Sequence, residues 1–263
     1  MVLMNLSGVY RQEKFWRDEA AHWLELEAVS GTNCYCDEEA AARIREALCD
    51  LPLSGIHFLD SGNYHYLSRL WMGKVQEPFD LLLFDNHTDM QPPAFGGLLS
   101  CGGWVAAALE ELPLLQQVFL VGPPRADCEQ ICGQEAARVT YVCREQLKAL
   151  RRSGRLAGEG AVDEKLWPLD AEISPTRPLY LSVDKDILSE ESGRMSWSQG
   201  DMSLSELVFL LKGLKGVLEK RGIPLLAADI CGEWDGQENQ EAHAALNDEA
   251  NRALLEVLRG FSL

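Results

Sequence analysis

Residues 79–89 have the sequence Phe-Asp-Leu-Leu-Leu-Phe-Asp-Asn-His-Thr-Asp, an apolar run followed at once by acids and a histidine. The run Phe79–Phe84 is short and almost wholly apolar, which is typical of a strand buried on both faces of a parallel sheet. Beyond the run, Asp85, His87 and Asp89 alternate, so in extended backbone their side chains project to one side. The stretch therefore predicts a buried strand that ends in a cluster of polar side chains.

Similar short runs recur along the chain and alternate with helical patterns, which indicates a parallel sheet covered by helices on both faces. The other β-like runs are His22–Val29, Gly55–Leu59, Gln117–Val121, Val139–Val142, Leu179–Val183 and Leu225–Ala228. No repeat, low-complexity tract or Pro/Ser-rich linker divides the 263 residues. We therefore expect a single α/β domain over residues 1–263, with three layers in the order α/β/α.

Several helices carry recognisable start signals. Asp37 precedes an acidic first turn, and Ser203 with Glu206 has the spacing of a capping box. Apolar residues at helical spacing over Asn239–Arg259 predict a covering helix at the end of the chain. The stretch Arg151–Glu172 is instead Gly-rich and charged, which predicts an irregular connection.

The composition excludes several classes of partner. The chain carries 24 Lys and Arg against 41 Asp and Glu, a formal net charge of −17, whereas nucleic acids and anionic membranes need basic surfaces. Hydrophobic residues make up 46% of the chain, enough for a folded core. No apolar run approaches the roughly 18 residues of a membrane span, and no basic region precedes an apolar stretch at the start. We expect a cytoplasmic protein.

The eight cysteines are scattered and form no paired C-x-x-C set of the zinc-ribbon type. A cytoplasmic chain of this length needs no disulfides, so most of them are expected to be small, reduced core residues. Cys34 and Cys36 lie in a polar loop, which leaves a peripheral metal or redox role open for them.

Three further β-like runs also end in acidic or imidazole side chains. Asp60-Ser-Gly-Asn-Tyr-His65 follows one run, Asp184-Lys-Asp186 follows another, and Asp229-Ile-Cys-Gly-Glu233 follows the run at residues 225–228. Ligands of open parallel sheets collect at the carboxyl ends of the strands, where loops and helix N-termini converge. Polar groups at four strand ends therefore predict one functional site along that edge of the sheet.

Charge balance indicates what such a site would hold. Each motif taken alone could be a capping turn, and a single histidine is most often a hydrogen-bonded structural residue. Together, four carboxylates and two neutral imidazoles sum to −4, and buried carboxylates without counter-ions repel one another and lose hydration. Two divalent cations would neutralise the set, and oxygen-rich ligation with some imidazole favours Mn²⁺ over Zn²⁺. The six residues are His65, Asp85, His87, Asp89, Asp184 and Asp186.

The remaining histidines are His22, His57 and His243. They belong to no such group of polar residues and are predicted to be structural or surface residues.

These motifs resemble those of the arginase/agmatinase (ureohydrolase) family. Gly62-Asn-Tyr-His65 stands in the place of that family's Gly-Gly-Asp-His, residues 85–89 in the place of Asp-Ala-His-x-Asp, and Ser182-Val-Asp-Lys-Asp186 in the place of Ser-x-Asp-x-Asp. The resemblance implies an arginase-like α/β/α sandwich around a mostly parallel sheet of about eight strands. It also implies two Mn²⁺ ions per chain and a homo-oligomer.

The resemblance further implies a role for each of the six residues. Asp85 and Asp184 would bridge the two ions; His65 and Asp89 would complete one coordination sphere, and His87 and Asp186 the other. The implied reaction is attack of metal-activated hydroxide on a guanidinium carbon, with Asp89 accepting a proton, giving urea and an amine. An acidic pocket suits a small cationic guanidino-type substrate. Glu233 would either hold the guanidinium through a two-point carboxylate contact or be an ordinary loop residue.

The sequence also departs from the family pattern. Cys101 stands where the proton-shuttling histidine is expected, so it either relays protons or is an inert packing residue. Glu233 comes one position after the family's acid because Gly232 intervenes. Gln91-Pro-Pro93 replaces the loop that grips an α-amino acid in arginases, so arginine itself is not implied as the substrate. Specificity is expected to lie in the loops Ala94–Ser100 and Ser189–Gln199.

Three functions therefore stay open on the sequence alone. The leading hypothesis is a dinuclear manganese hydrolase that acts on a guanidino or amidino C–N bond, with Asp89, Glu233 and Cys101 as catalytic candidates. The second is an amide-hydrolysing enzyme of the deacetylase type, which generally uses one zinc ion. The third is a catalytically silent metal-binding member of the same family.

Overall fold

The computed structural model describes residues 1–92, 97–156 and 167–262 of the chain. Its strands are Val2–Asn5 (β1), His22–Glu25 (β2), Tyr35–Cys36 (β3), Ile56–Phe58 (β4), Phe79–Phe84 (β5), Leu99–Ser100 (β6), Leu115–Val121 (β7), Val139–Val142 (β8), Leu179–Asp184 (β9) and Leu225–Cys231 (β10). Its α-helices are Glu38–Leu48 (α1), Leu67–Met72 (α2), Trp104–Glu111 (α3), Arg125–Cys128 (α4), Arg144–Arg152 (α5), Leu204–Arg221 (α6) and Gln240–Arg259 (α7).

Eight of the strands form one sheet, in the order β2-β1-β4-β10-β9-β5-β7-β8. Every pairing in this sheet is parallel, so the predicted α/β fold with a parallel sheet of about eight strands is confirmed. The order sets β5 directly beside β9, with Phe84 opposite Val183. The residues that follow these two partners therefore leave the sheet side by side.

Two apolar clusters cover the two faces of the sheet and define the three layers. Alternate residues of β5 serve the two clusters: Leu82 and Phe84 belong to one, and Leu81 and Leu83 belong to the other. Helices α1, α2 and α3 contribute to the cluster that contains Leu81, while α5, α6 and α7 contribute to the opposite cluster. This arrangement explains why the central strands β5 and β9 are nearly continuous apolar runs, since both of their faces are buried.

The helix start signals are also confirmed. The Asp37 side chain accepts a hydrogen bond from the Ala40 backbone N–H at 2.8 Å, which caps α1. Ser203 and Glu206 form the predicted capping box, with reciprocal bonds of 3.2 and 2.9 Å at the start of α6. No helix among the described residues is long and apolar enough to cross a membrane.

Two details of the strand prediction need correction. The last strand of the sheet continues to Cys231, so Asp229 lies inside β10 rather than beyond its end. A buried acid is tolerated there because Asp229 lies 2.8 Å from His57 Nδ1 and accepts a hydrogen bond of 2.7 Å from the Tyr180 hydroxyl. The sequence pattern also did not indicate β1, which is a strand of only four residues. Of the predicted irregular connection Arg151–Glu172, residues 157–166 lie outside the described part of the chain.

Candidate metal centre

Three chain segments converge at the carboxyl ends of the central strands. His65 follows a single 3-10 turn, Gly62–Tyr64, in the connection after β4. Asp85 directly follows β5, and Asp184 is the last residue of β9. Because the two strands are register neighbours, their terminal carboxylates meet at one point of the sheet edge.

His65 lies at the middle of the first group of polar atoms. Its Nδ1 atom is 3.3 Å from Asp85 Oδ2, 3.1 Å from Asp89 Oδ2 and 3.3 Å from Asp184 Oδ2. His65, Asp85 and Asp89 each offer an atom within 4.8 Å of the others, which is close enough to ligate one ion.

His87 lies at the middle of the second group. Its Nδ1 atom is 2.7 Å from Asp186 Oδ2 and 3.5 Å from Asp85 Oδ1. Asp85, His87 and Asp186 again form a set that could hold one ion. Asp85 thus contributes one oxygen to each group, and the structure brings all six residues singled out in the sequence to this edge of the sheet.

Short backbone hydrogen bonds orient the carboxylates. The N–H groups of Asp186 and Asn86 donate to Asp184 and Asp186 respectively, each at 2.9 Å. The His87 N–H donates to Asp85 Oδ1 at 2.6 Å. Asp89, at a positive φ of 50°, accepts a bond of 2.5 Å from the Trp104 indole N–H. The carboxylates are therefore fixed by the loops that carry them.

Serine hydroxyls hold the far side of each imidazole ring. His65 Nε2 lies 3.0 Å from Ser182 Oγ, and His87 Nε2 lies 2.9 Å from Ser198 Oγ. Both rings therefore present Nδ1 to the carboxylates, an arrangement in which the outer hydrogen bond sets the orientation of a metal-ligating histidine.

The electrostatics of the site favour cation binding. Burial, with repulsion from Asp186 and Asp85, raises the pKa of Asp184 to about 8. Burial and the charge of Asp85 likewise raise the pKa of Asp186 to about 6. Burial lowers the pKa of His87, but hydrogen bonds to Asp186 and Asp85 outweigh it and raise that pKa to about 12. Without added cations, this cluster therefore retains protons to offset its carboxylates.

Asp85 supplies a second indication that the site suits a cation. Its Oδ2 atom is buried and has no hydrogen-bond partner. Leaving a buried carboxylate oxygen unsatisfied is costly, and a cation bound by the group of His65, Asp85 and Asp89 would satisfy it. The residues present therefore fit a pair of divalent ions.

A cavity of about 220 Å³ opens over the carboxylates, and Cys34 and Cys101 form part of its wall. The Cys101 N–H donates to the Cys34 carbonyl at 2.9 Å, which continues the short antiparallel pairing of β3 with β6. Burial raises the pKa of the Cys101 thiol to about 12, so the thiol stays protonated near neutral pH. Cys36, in contrast, is buried in an apolar cluster away from the pocket lining.

Glu233, in contrast to the six ligand candidates, does not line this pocket. Its carboxylate pairs with the Lys185 ammonium and accepts a bond of 2.8 Å from the Asn251 amide, and all three side chains are buried. The reason lies at Gly232, whose φ is +92° and where a Cβ would lie 2.5 Å from Asp184 Oδ1. A side chain at position 232 would be strained and would crowd Asp184, and the next side chain, that of Glu233, lies against Lys185.

Cys231 is a further neighbour of the site, and its position in the sequence alone did not indicate this. With His65 and Asp184 it forms a third set of atoms within ligand distance of one another. Its thiol lies 3.3 Å from the Ser61 carbonyl, to which it donates, and burial raises its pKa well above the usual value. Cys231 is the register partner of Asp184, so strand pairing would have been the signal that identified it.

The fold is shared with several solved hydrolases. Formimidoylglutamase from Bacillus subtilis superposes with a TM-score of 0.66 and 12% identity, over 100% of this chain and 87% of that chain. Arginase from Bacillus subtilis superposes with a TM-score of 0.60 and 14% identity, over 97% of this chain and 96% of the other. A hypothetical agmatinase from Burkholderia thailandensis gives a TM-score of 0.58 and 16% identity, over 94% and 73% of the two chains.

Sequence comparison alone is less informative. No protein-family model matches the chain. An uncharacterized protein from Thermotoga maritima is 27% identical over 253 residues, which cover 93% of this chain and 86% of the relative. The predicted resemblance to the arginase/agmatinase family is confirmed at the level of the fold.

Proposed function

We propose that this protein is a dinuclear-metal hydrolase of the ureohydrolase type, which cleaves a guanidino or amidino C–N bond. The observation that carries the proposal is the pair of ligand groups that share Asp85 at the carboxyl edge of an arginase-like sheet. If these residues only capped turns or were isolated structural histidines, three distant segments of the chain would not need to converge.

The proposed coordination follows from the distances. Asp85 would bridge two ions because its two oxygens belong to the two groups. Asp184 would contribute to the first site, since its Oδ2 atom lies 3.3 Å from His65 Nδ1. The resemblance to ureohydrolases supports a bridging role for it as well. His65 and Asp89 would complete one site, and His87 and Asp186 would complete the other. Four carboxylates balance two divalent cations, and the predominance of oxygen ligands supports Mn²⁺.

When bound, the two ions would lower the pKa of a water molecule so that it becomes a nucleophile near neutral pH. The protein's own residues would accept the proton, position the substrate and orient the metal-ligating imidazoles. Asp89, held by Trp104, would accept the proton that this water loses. The pocket lining that is not committed to the ions, which includes Gln91, Ser100 and Trp197, would position the substrate beside them. Ser182 and Ser198 would keep both imidazoles in their ligating orientation.

The proposal assigns no substrate contact to Glu233, whose carboxylate is engaged by Lys185 and Asn251. It also assigns no proton-relay step to Cys101, because a thiol with a pKa of about 12 is a poor proton acceptor near pH 7. Departure of the amine product would instead rely on Asp89 and on water in the pocket.

Metal content and urea release together test the proposal. The protein, purified without chelators and supplied with Mn²⁺, should hold about two equivalents of metal per chain and release urea from guanidino compounds. Asp85→Asn should lose both ions, because both groups share this side chain, whereas Asp50→Asn is a matched exposed control that should retain them.

Other outcomes point to the competing functions. A single tightly bound Zn²⁺ with amide hydrolysis would replace the proposal with a deacetylase-type enzyme. Full occupancy by two ions without urea release from any guanidino or amidino compound would indicate a catalytically silent protein.

A further inference from the structure

Trp197 is an exposed aromatic residue at the mouth of the pocket. Its side chain is part of the pocket lining, although 42% of the residue's surface remains exposed. Its ring meets the ring of His87 edge-on, with centroids 6.3 Å apart. The indole therefore stands beside the proposed metal site without entering the apolar core.

Contacts on several sides fix this indole in place. Its N–H donates to Asn63 Oδ1 at 2.9 Å. The ring also packs on the backbone of Gly62, where a Cβ would lie only 2.7 Å from Trp197 Cδ1. The next residue, Ser198, is held by the Asn86 amide, which donates to its carbonyl at 2.8 Å. The exposed ring is thus pre-positioned and does not depend on a ligand for its orientation.

Trp197 is accompanied by further apolar surface. Among the described residues, the large hydrophobic side chains that remain exposed are Tyr35, Leu98 and Trp197. Tyr35 lines the same pocket, and Leu98 directly precedes β6, whose Ser100 lines it as well. Exposed aromatic surface grouped around one opening is characteristic of a binding site, whereas isolated exposed hydrophobic residues are not.

The charges of the pocket restrict what can bind beyond the metal centre. The charged side chains of the described pocket lining that are not histidine are all aspartates, and none is Lys or Arg. Lys185 is buried and directed at Glu233 and Asn251. A carboxylate on the substrate would therefore find no Lys or Arg side chain among the described residues that line this pocket.

We infer that Trp197 determines specificity and that the substrate's non-reacting part is an apolar, carboxylate-free group lying against its ring. This inference rests on the proposed function, since it places the reacting guanidino or amidino group over the metal centre. It identifies the substrate class as guanidino compounds with an alkyl or aryl tail, as opposed to free α-amino acids.

A matched pair of compounds tests the inference on the Mn²⁺-loaded protein. Pentylguanidine and 5-guanidinopentanoate share a five-carbon chain and differ only in a terminal methyl or carboxylate. Pentylguanidine should have the lower KM, by about tenfold. Trp197→Ala should raise its KM about tenfold and change kcat by less than about twofold. About two CH₂ groups lying on the ring, at about 0.8 kcal/mol each, account for the 1.4 kcal/mol that is a factor of ten. Trp197→Phe, which keeps a flat apolar ring, should recover most of the affinity.

Calorimetric binding of pentylguanidine separates this inference from the proposed function. If urea is released but neither the carboxylate nor Trp197→Ala changes KM, the inference is overturned and the hydrolase function stands. If no urea is released but pentylguanidine binds and the binding weakens in Trp197→Ala, the proposed function fails and the ligand class stands. Absence of both binding and hydrolysis overturns both. Thermal melting of each variant confirms that it is folded.

Discussion

Asp85 differs from the other candidate ligands because each of its oxygens faces a different histidine. Oδ2 approaches His65, and Oδ1 approaches His87 while accepting the His87 backbone N–H. A bridging ligand of this kind couples the two sites, so we expect ions at both sites to depend on one side chain. Because of this coupling, the motifs that contain His65, Asp85 and Asp184 must be interpreted as parts of one site.

The first residue-scale prediction concerns thiol reactivity. The thiolate is the reactive form of cysteine, and burial raises the pKa of Cys101 to about 12. Iodoacetamide at pH 7.5, with a chelator present, should therefore modify Cys101 more slowly than the exposed Cys49 and Cys132. Peptide mass spectrometry over a time course measures the individual rates. Labelling of Cys101 as fast as that of Cys132 would contradict a protonated thiol and revive a proton-relay role.

Residue identity was sufficient to select the candidate ligands but not to identify every neighbour of the site. His65, Asp85 and Asp184 could be selected because each lies just beyond a β-like run. The direction of Glu233 could not be predicted, because it depends on the left-handed backbone of Gly232 and on the partner Lys185. Cys231 escaped notice because its proximity to Asp184 arises from pairing between strands distant in sequence.

At the scale of elements, the end of β9 is held from two sides. Asp184 and Asp186 face the candidate metal centre, while Lys185 between them reaches Glu233 after β10 and Asn251 of α7. Glu13 belongs to the same buried cluster as Lys185, Glu233 and Asn251. Burial and the charge of Glu233 raise the pKa of Glu13 well above its usual value, so these four side chains together retain a proton. The segment that carries two candidate ligands is thereby fastened to a neighbouring strand and a covering helix.

The element-scale prediction compares two glycines that both have positive φ. Gly232→Ala would place a methyl group 2.5 Å from Asp184 Oδ1, whereas a Cβ at Gly222 meets no atom within 4 Å. Each substitution should cost about 1–2 kcal/mol for left-handed backbone. Gly232→Ala should cost more, because its Cβ would also lie 3.0 Å from the Lys185 backbone nitrogen. Only Gly232→Ala should also lower the metal content, since it displaces a candidate ligand.

Metal analysis and urea-induced unfolding of the two variants measure these effects. Equal metal content in Gly232→Ala and Gly222→Ala would show that Asp184 tolerates the added methyl group, or that Asp184 does not ligate an ion. The Gly222 variant, at the end of α6, serves as the control for backbone strain alone.

At the scale of the whole molecule, the centre links β4, β5 and β9, so its occupancy should influence global stability. Asp184 and Asp186 have pKa values raised to about 8 and about 6, and His87 has one raised to about 12. A raised pKa means that the folded protein binds more protons than the unfolded chain. These contributions stabilise the metal-free protein at low pH and are lost as the pH rises through the folded-state values.

The resulting prediction is a stability difference between two pH values. In chelator, the thermal midpoint should be lower at pH 8.5 than at pH 5.5, and the difference should shrink in Asp184→Asn but persist in the exposed control Asp50→Asn. Mn²⁺ at a hundred times its Kd should restore about 2.7 kcal/mol for each ion bound at pH 8.5, since it binds only the folded state. A metal-free protein that becomes more stable between pH 5.5 and 8.5, with no change in Asp184→Asn, would contradict the assigned electrostatics.

The sequence by itself determined the fold class and the six candidate ligands. Apolar runs in alternation with helical patterns specify a parallel sheet, and polar residues just beyond those runs must gather at one edge of it. These inferences need only the local pattern and the geometry that all parallel sheets share. Tertiary structure alone decided which neighbours face the pocket. The turn of Glu233 toward Lys185 and the placement of Trp197 on Gly62 arise from contacts between residues 48 and 135 positions apart, which no local pattern encodes.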